Sequence, residues 1–193
     1  ALGVIFAFAG SLFLINQFRN WWPTRRMLDD RWLSDAIALW LLGSKFTVEK
    51  ITTENTKFHF KVGDRFGRAF SIMKKNENPN DLSFSFRLSV EDKDIPFVDR
   101  LDTNIASDLI ENMQIEMARF GVLHSGMQLP IREMYIESFI PIDFQLGRFK
   151  IVQHSLMMIR AHALLSVHIL RAIRLAGGSP PKPDSDKEDN QKL

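Results

Sequence analysis

The sequence predicts an α+β fold: a single N-terminal transmembrane helix, then an antiparallel sheet covered by helices in the order α-β3/4-α-β2-α, closing on a long C-terminal helix. Three observations lead there. The run Ala1–Phe18, ALGVIFAFAGSLFLINQF, carries no charged side chain before Arg19. Leu82–Val90, LSFSFRLSV, alternates apolar and polar residues, the period of a strand with one covered face. Asp29–Leu42, Thr103–Phe120 and about Phe144–Leu175 instead repeat apolar residues at helical spacing.

From Val4 to Ile15 every residue is apolar or small, so a helix there has no polar stripe to lay along water, which favours burial in lipid. Trp21 and Trp22 follow, then Pro23, Arg25 and Arg26: interfacial indoles, a helix breaker, and charges held in water. A bilayer core needs about 20 residues, and Leu2–Trp22 as one helix spans about 30 Å, enough if Asn16, Gln17 and Arg19 sit at the headgroups or face a partner helix. A cleaved signal peptide would want basic residues ahead of the run and a later small-x-small site than Ala7–Ala9; a core helix would want a polar face. Residues 1–24 are therefore expected to be an anchor with Trp21, Trp22, Arg25 and Arg26 at the membrane interface. Arg19, Arg25 and Arg26 follow the run and no Lys or Arg precedes it, which puts the domain on the cytoplasmic or, in an organelle, the matrix side.

The remaining elements follow in order. Asp29–Leu42 has Leu33, Ile37, Trp40 and Leu41 at helical spacing, acidic residues in its first turn and Gly43 to close it. Phe46–Ile51 and Lys57–Val62 read as strands, the second alternating Phe58, Phe60 and Val62 with His59 and Lys61. Gly63-Asp64 and Gly67 mark a turn before Arg68–Lys74, and Asn76–Asp81 turns the chain into Leu82–Val90. Thr103–Phe120 carries the row Ile105, Leu109, Met113, Met117 and Phe120 and ends at Gly121. Leu123–Asp143 holds two extended segments broken at Pro130 and Pro141, and Gly177–Pro181 stops the last helix. One α+β domain over residues 27–175 and a polar, flexible tail over 176–193 complete the plan.

The order of elements, the opening LLGSKFTVEKI, the helix NIASDLIENMQIEMARFG and the following YIESFIPID resemble the YbjN-type domains of the type III secretion chaperone-like superfamily over about Asp29–Arg174. The resemblance implies non-enzymatic work, the binding of another protein, and supplies no catalytic residues. Those domains are usually soluble, so the N-terminal run and the length of the last helix are departures from them.

Composition narrows the chemistry. The net charge is +2 with a pI of about 9.0, and no dense basic stripe marks a nucleic-acid binder. Zero cysteines exclude disulfides, thiolate metal sites and cysteine nucleophiles. Sixteen Phe against one Tyr points to aromatics used for packing. His154, His162 and His168 share the last helix, but helical ligand pairs need i,i+3 or i,i+4 spacing, so they do not share an ion. Asp92 opens like a calcium loop, yet Phe97 stands where an EF-hand needs Gly. Glu133 and Glu137 lie on one strand face about 13 Å apart, too far for a general acid/base pair. Asp108 and Glu111 have no Glu-x-x-His partner for a di-iron site. Gly63 and Gly67 lack the Lys-Ser/Thr of a phosphate loop, and Ser125-Gly126 lacks the flanking Gly of a nucleophile elbow. No enzyme, cofactor or metal is expected.

The last helix is apolar on too many sides. Ile151, Met158, Leu165, Ile169 and Ile173 make one core-facing row, while Phe149, Leu156 and Val167 share the opposite side with Gln153, Arg160, Arg171 and Arg174. Leu156, Arg160, Val167 and Arg171 are the expected partner-binding residues, because arginine amid apolar side chains suits a protein interface or a membrane surface. The sequence thus predicts a single-pass membrane protein binding other membrane-complex proteins and the lipid bilayer, and no nucleic acid, as an accessory or structural subunit. A membrane-tethered chaperone or regulator holding a client peptide transiently is the alternative; an enzyme on a membrane-borne substrate would need a polar pocket with a perturbed acid or base.

Overall fold

The computed structural model describes residues 29–143 and 145–177. The expected anchor with Trp21, Trp22, Arg25 and Arg26, and most of the expected tail, lie outside the described residues. Within them the fold is α+β, with four helices, α1 (Asp30–Leu42), α2 (Ile95–Val98), α3 (Thr103–Phe120) and α4 (Arg148–Leu175). Six strands, β1 (Thr47–Ile51), β2 (Thr56–Gly63), β3 (Ala69–Lys75), β4 (Asp81–Ser89), β5 (Leu123–Ser125) and β6 (Glu133–Pro141), form one antiparallel sheet in the order β1-β2-β3-β4-β6-β5. The chain divides into two compact units, the first from residues up to 86 with 137–160, the second from 87–136 with 161 onward.

In the first unit β1, β2, β3 and β4 form an antiparallel meander. Thr47 faces Gly63, Val62 faces Phe70, and Ile72 faces Phe84. The period of two puts Phe58, Phe60, Val62, Phe70, Ile72, Leu82 and Phe84 on one buried face, as their alternation predicts. An aromatic chain crosses it: Phe46 meets Phe70 edge-on at 6.4 Å, Phe70 stacks on Phe84 at 6.3 Å, and Phe84 meets the His154 ring at 4.6 Å. α1 lays Leu33, Ile37 and Leu41 into the same core. Its first turn is capped by Asp29, whose carboxylate accepts the Arg31 and Trp32 N–H groups. Gly43 ends the helix as expected, but the left-handed residue that redirects the chain is Lys45, at φ 65°.

The polar face of this unit is less wet than an open sheet implies. Ser83 and Ser85 are buried, and over Ser83 long side chains of the flanking strands close. Ser83 Oγ donates to Glu137 Oε1 at 2.6 Å, and Lys75 Nζ donates to the same oxygen at 3.0 Å. His59 is held between Thr53 Oγ1 at 2.6 Å and Ser71 Oγ at 2.9 Å.

In the second unit α3 buries Ala106, Leu109, Met113 and Met117. The expected row thus runs through Ala106, and Ile105 in the first turn is exposed instead. Asp102 caps the helix start; at its end Gly121, at φ 65°, lets the Gly121 and Val122 amides return to the Ala118 and Met117 carbonyls. Gly126 has a steric reason as well: a Cβ there would stand 2.2 Å from the Glu133 carbonyl oxygen. The segment after Asp92, where Phe97 rules out a calcium loop, contains the short helix α2, with Pro96 in its first turn.

Candidate functional site

α4 is 28 residues long and contains no Asp or Glu, while Arg148, Lys150, Arg160, Arg171 and Arg174 are distributed along it. Among the described residues it is the helix long and apolar enough, by length and composition, to cross a bilayer. Its inner row is already used by the domain. In the first unit Ile151, Ser155 and Met158 are buried, Ser155 returning its hydroxyl to the Ile151 carbonyl; in the second Leu165, Ile169, Ala172 and Ile173 are buried. The expected core-facing row is therefore the observed one.

The outer row is exposed in both units. In the first, Phe149, Gln153, Leu156 and Arg160 follow one another at intervals of four, three and four residues, which places them on one helix face. In the second, Val167 and Arg171 are an i,i+4 pair on the outside, followed by Arg174 and Leu175. All four expected partner-binding residues reach solvent, with Leu156 43% and Val167 62% exposed. Full burial of such a side chain contributes about 1.5–3 kcal/mol, so covering the fraction of Leu156 or Val167 still wet contributes about 0.6–2 kcal/mol.

The histidines of α4 have separate surroundings. In the first unit His154 Nε2 shares a 2.9 Å hydrogen bond with Ser138 Oγ on β6 and its ring abuts Phe84. Burial, helped by the Lys150 charge, lowers its pKa from 6.5 to about 4. In the second unit His162 Nδ1 lies 3.4 Å from Ser166 Oγ, and His168 Nδ1 is buried without a hydrogen-bond partner. Burial and the Arg171 charge lower the His168 pKa, against the pull of Glu116. Among the described residues no three His, Cys, Asp or Glu side chains are placed to hold a metal ion.

The His154 shift fixes a pH dependence. The unfolded chain binds a proton near pH 6.5, the folded one only near pH 4, so this contribution is complete above pH 6.5 and is lost as pH falls toward 4. Allowing for its partial exposure, about 1–2 kcal/mol is expected to disappear over that window. His59 and His168 shift in the same direction. Urea unfolding at pH 7 and pH 4.5 should therefore show a smaller acid loss in His154→Gln than in the parent. Equal losses would mean that His154 titrates as it does in the unfolded chain.

The carboxylates act as fasteners. In the first unit Glu137 binds Ser83 and Lys75; in the second Glu133 pairs with Arg87. As the β4 position rises by four the β6 position falls by four, the antiparallel register those pairs secure. Asp108 and Glu111 both stand on exposed positions of α3. In the turn after β2, Asp64 Oδ1 accepts the Phe66 and Arg68 N–H groups at 2.9 and 3.0 Å, and Oδ2 takes the Arg68 guanidinium at 2.6 Å. Burial would raise the Asp64 pKa, but the Arg68 and Phe66 hydrogen bonds outweigh it and hold the carboxyl below its usual range. A cleft of about 270 Å³ opens beside this turn, with Glu49, Lys61 and Asp64 on its walls. Asp64 spends its lone pairs on shaping the loop, which leaves little basicity for proton transfer.

That turn holds residues that belong to no sequence motif. Phe66 is exposed at its tip, with the Arg65 guanidinium 4.6 Å and the Arg68 guanidinium 4.9 Å from its ring centroid. A large aromatic between two arginines inside a glycine turn was the available signal, since turns seldom need one.

Among known proteins the chain matches no family model and no curated sequence. Its fold is similar to the crystal structure of an uncharacterized protein from Methanothermobacter thermautotrophicus, with a TM-score of 0.61 and 17% identity over 75% of this chain and 98% of that one. The likeness concerns the fold alone.

Proposed function

We propose that this is a single-pass membrane protein whose α+β domain serves as an accessory or structural subunit, binding other proteins of a membrane complex from the cytoplasmic or organelle-matrix side. The observation that carries the reading is the outer row of α4. A helix with one face committed to its own core normally turns a polar stripe to water, and this one turns Leu156 and Val167. Arg160 and Arg171 beside them bring the residue type that interfaces favour. The charge-free Ala1–Phe18 run and the arginines after it support attachment and sidedness.

Leu156→Asp combined with Val167→Asp is the test. Each change of an interface anchor costs about 1–3 kcal/mol of binding, whereas surface substitutions stay within about 0.5 kcal/mol of stability. The double variant should melt near the parent temperature yet elute as a lone protomer after gentle detergent extraction, where the parent elutes in a larger assembly. Unfolding of the variant would assign the face to the domain's own core, and unchanged assembly would make it a plain solvent face.

A second reading has an observation behind it too. β1 is an edge strand with β2 as its ladder neighbour, and its residues are exposed or half-exposed along its whole length. An extended client could add to that edge by main-chain hydrogen bonds, the transient binding that the chaperone-like resemblance implies. Such a protein would be extracted as a lone protomer even in its parent form.

A further inference from the structure

We infer that one end of the first unit, formed by the entry to β1, the β2–β3 turn and the start of α4, rests on the surface of an anionic bilayer. The inference rests on the membrane attachment proposed above and adds a second contact to it. The three segments are brought together by the fold. Lys45 stands two residues before Thr47, and Thr47 faces Gly63, the last residue before the turn. Arg148 Nη2 donates to the Gly43 carbonyl at 3.3 Å, which ties the start of α4 to the same end.

Each segment carries an exposed apolar side chain with a cation next to it. Leu42, Phe66 and Phe149 are 54, 65 and 74% exposed. Lys45 follows Leu42, Arg65 and Arg68 lie over the Phe66 ring, and Arg148 and Lys150 flank Phe149. Of the carboxylates close by, Asp64 is engaged with Arg68 and Asp143 with Lys150 at 3.6 Å, while Glu49 stands opposite Lys61 across the β1–β2 ladder. Lys45, Arg65 and Arg148 are left as positive charges at the tips.

Apolar tips on separate loops, each beside a cation, match the interfacial layer of a membrane, where rings enter the headgroup boundary and cations meet phosphates. They do not form the single desolvated pocket that anchors a protein partner. An anionic leaflet favours each basic group near its surface by about fivefold in the binding equilibrium. The seven residues from Pro23 to Asp29 reach at most about 25 Å, more than the roughly 20 Å length of α1, so attachment before α1 permits contact beyond its far end.

The chain has no cysteine, so a single introduced thiol takes a single label. Full-length Phe66→Cys carries a fluorophore at the tip, and Glu54→Cys carries it in the β1–β2 turn, at the opposite end of β1. Each is reconstituted into phosphatidylcholine vesicles with or without phosphatidylserine, doped with brominated lipid. Position 66 should be quenched, more strongly in the anionic vesicles, while position 54 should not. Adding Lys45→Glu and Arg65→Glu should lower the docked-to-undocked ratio by at least about 25-fold. No quenching at position 66 in anionic vesicles that still carry the chain through flotation overturns the docking and leaves the anchor standing. Equal quenching at both positions overturns it as well, as does shielding of position 66 by an acidic protein or an oligonucleotide without lipid quenching. A chain that carbonate strips from vesicles, yet is quenched at position 66 beforehand, supports the docking while removing the anchor.

Discussion

Asp30→Asn is expected to destabilise the protein by about 2–4 kcal/mol, and a second change, Lys74→Met, to return most of that loss. Lys74 follows Phe70 and Ile72 on the inward face of β3, so the strand period sends an ammonium group into the core. Its side chain is 4% exposed and its Nζ lies 2.5 Å from Asp30 Oδ1 in the first turn of α1. Removing the carboxylate leaves a buried cation without compensation, which typically costs 3–5 kcal/mol; the 35% exposure of the Asp30 side chain argues for the lower part of that range. The same change removes a favourable charge from a helix N-terminus. Lys74→Met fills similar volume with no charge to satisfy, so the double variant should lie near the parent. Urea midpoints of the four proteins give the coupling directly. A neutral Asp30→Asn would show that Lys74 swings to water.

The elements with strong local patterns were legible. The alternation of Phe58–Val62 gave a strand whose inward residues are the buried ones, that of Leu82–Val90 gave a strand in which Leu88 is half-exposed and the outward Ser83 and Ser85 are buried too, and Gly121 gave the left-handed end of α3. Boundaries set by side-chain capping were less so. α4 begins at Arg148 rather than near Phe144 because Asp143 first turns the chain, accepting the Gln145 N–H on its carboxylate and the Leu146 N–H on its carbonyl. Four-residue α2 is too short to show a period. Strand order was partly local: adjacent strands β1 to β4 pair as successive hairpins. β6 joins beside β4 only after α2, α3 and β5 have intervened, and no local pattern announces a partner that far along the chain.

The candidate surfaces divide in the same way. The outer row of α4 lies within one helix, so its spacing alone exposed it. The cluster of Leu42, Phe66 and Phe149 draws on segments far apart in sequence, and only the meander and the Arg148–Gly43 bond assemble it. The polar sheet face was assigned to water because alternation gives direction and says nothing of the length of neighbouring side chains. Ser83 is buried because Glu137 and Lys75 are long enough to meet above it.

Phe84→Ala should lower stability by about 3–5 kcal/mol, the range for a buried Phe truncated in a close-packed core. Phe84 is fully buried, stacked on Phe70 with a 17° angle between ring planes and touched edge-on by His154. Its cross-strand partner Ile72 is also fully buried, and the β-strand backbone on both sides is fixed by the ladder, so the walls have little room to close. For a domain of this size the loss corresponds to a fall in Tm of roughly 6–20 °C. A second readout separates a cavity from a general loosening. His154 keeps its low pKa by burial, and the aromatic wall beside it is Phe84, so in the variant the imidazole should titrate closer to 6.5 while the fold persists at low temperature. Histidine resonances followed by NMR from pH 4 to 7 would show this. An unchanged His154 titration with a loss below about 1 kcal/mol would mean that the aromatic chain repacks around the missing ring, and that the contact between β4 and α4 does not hold this unit together.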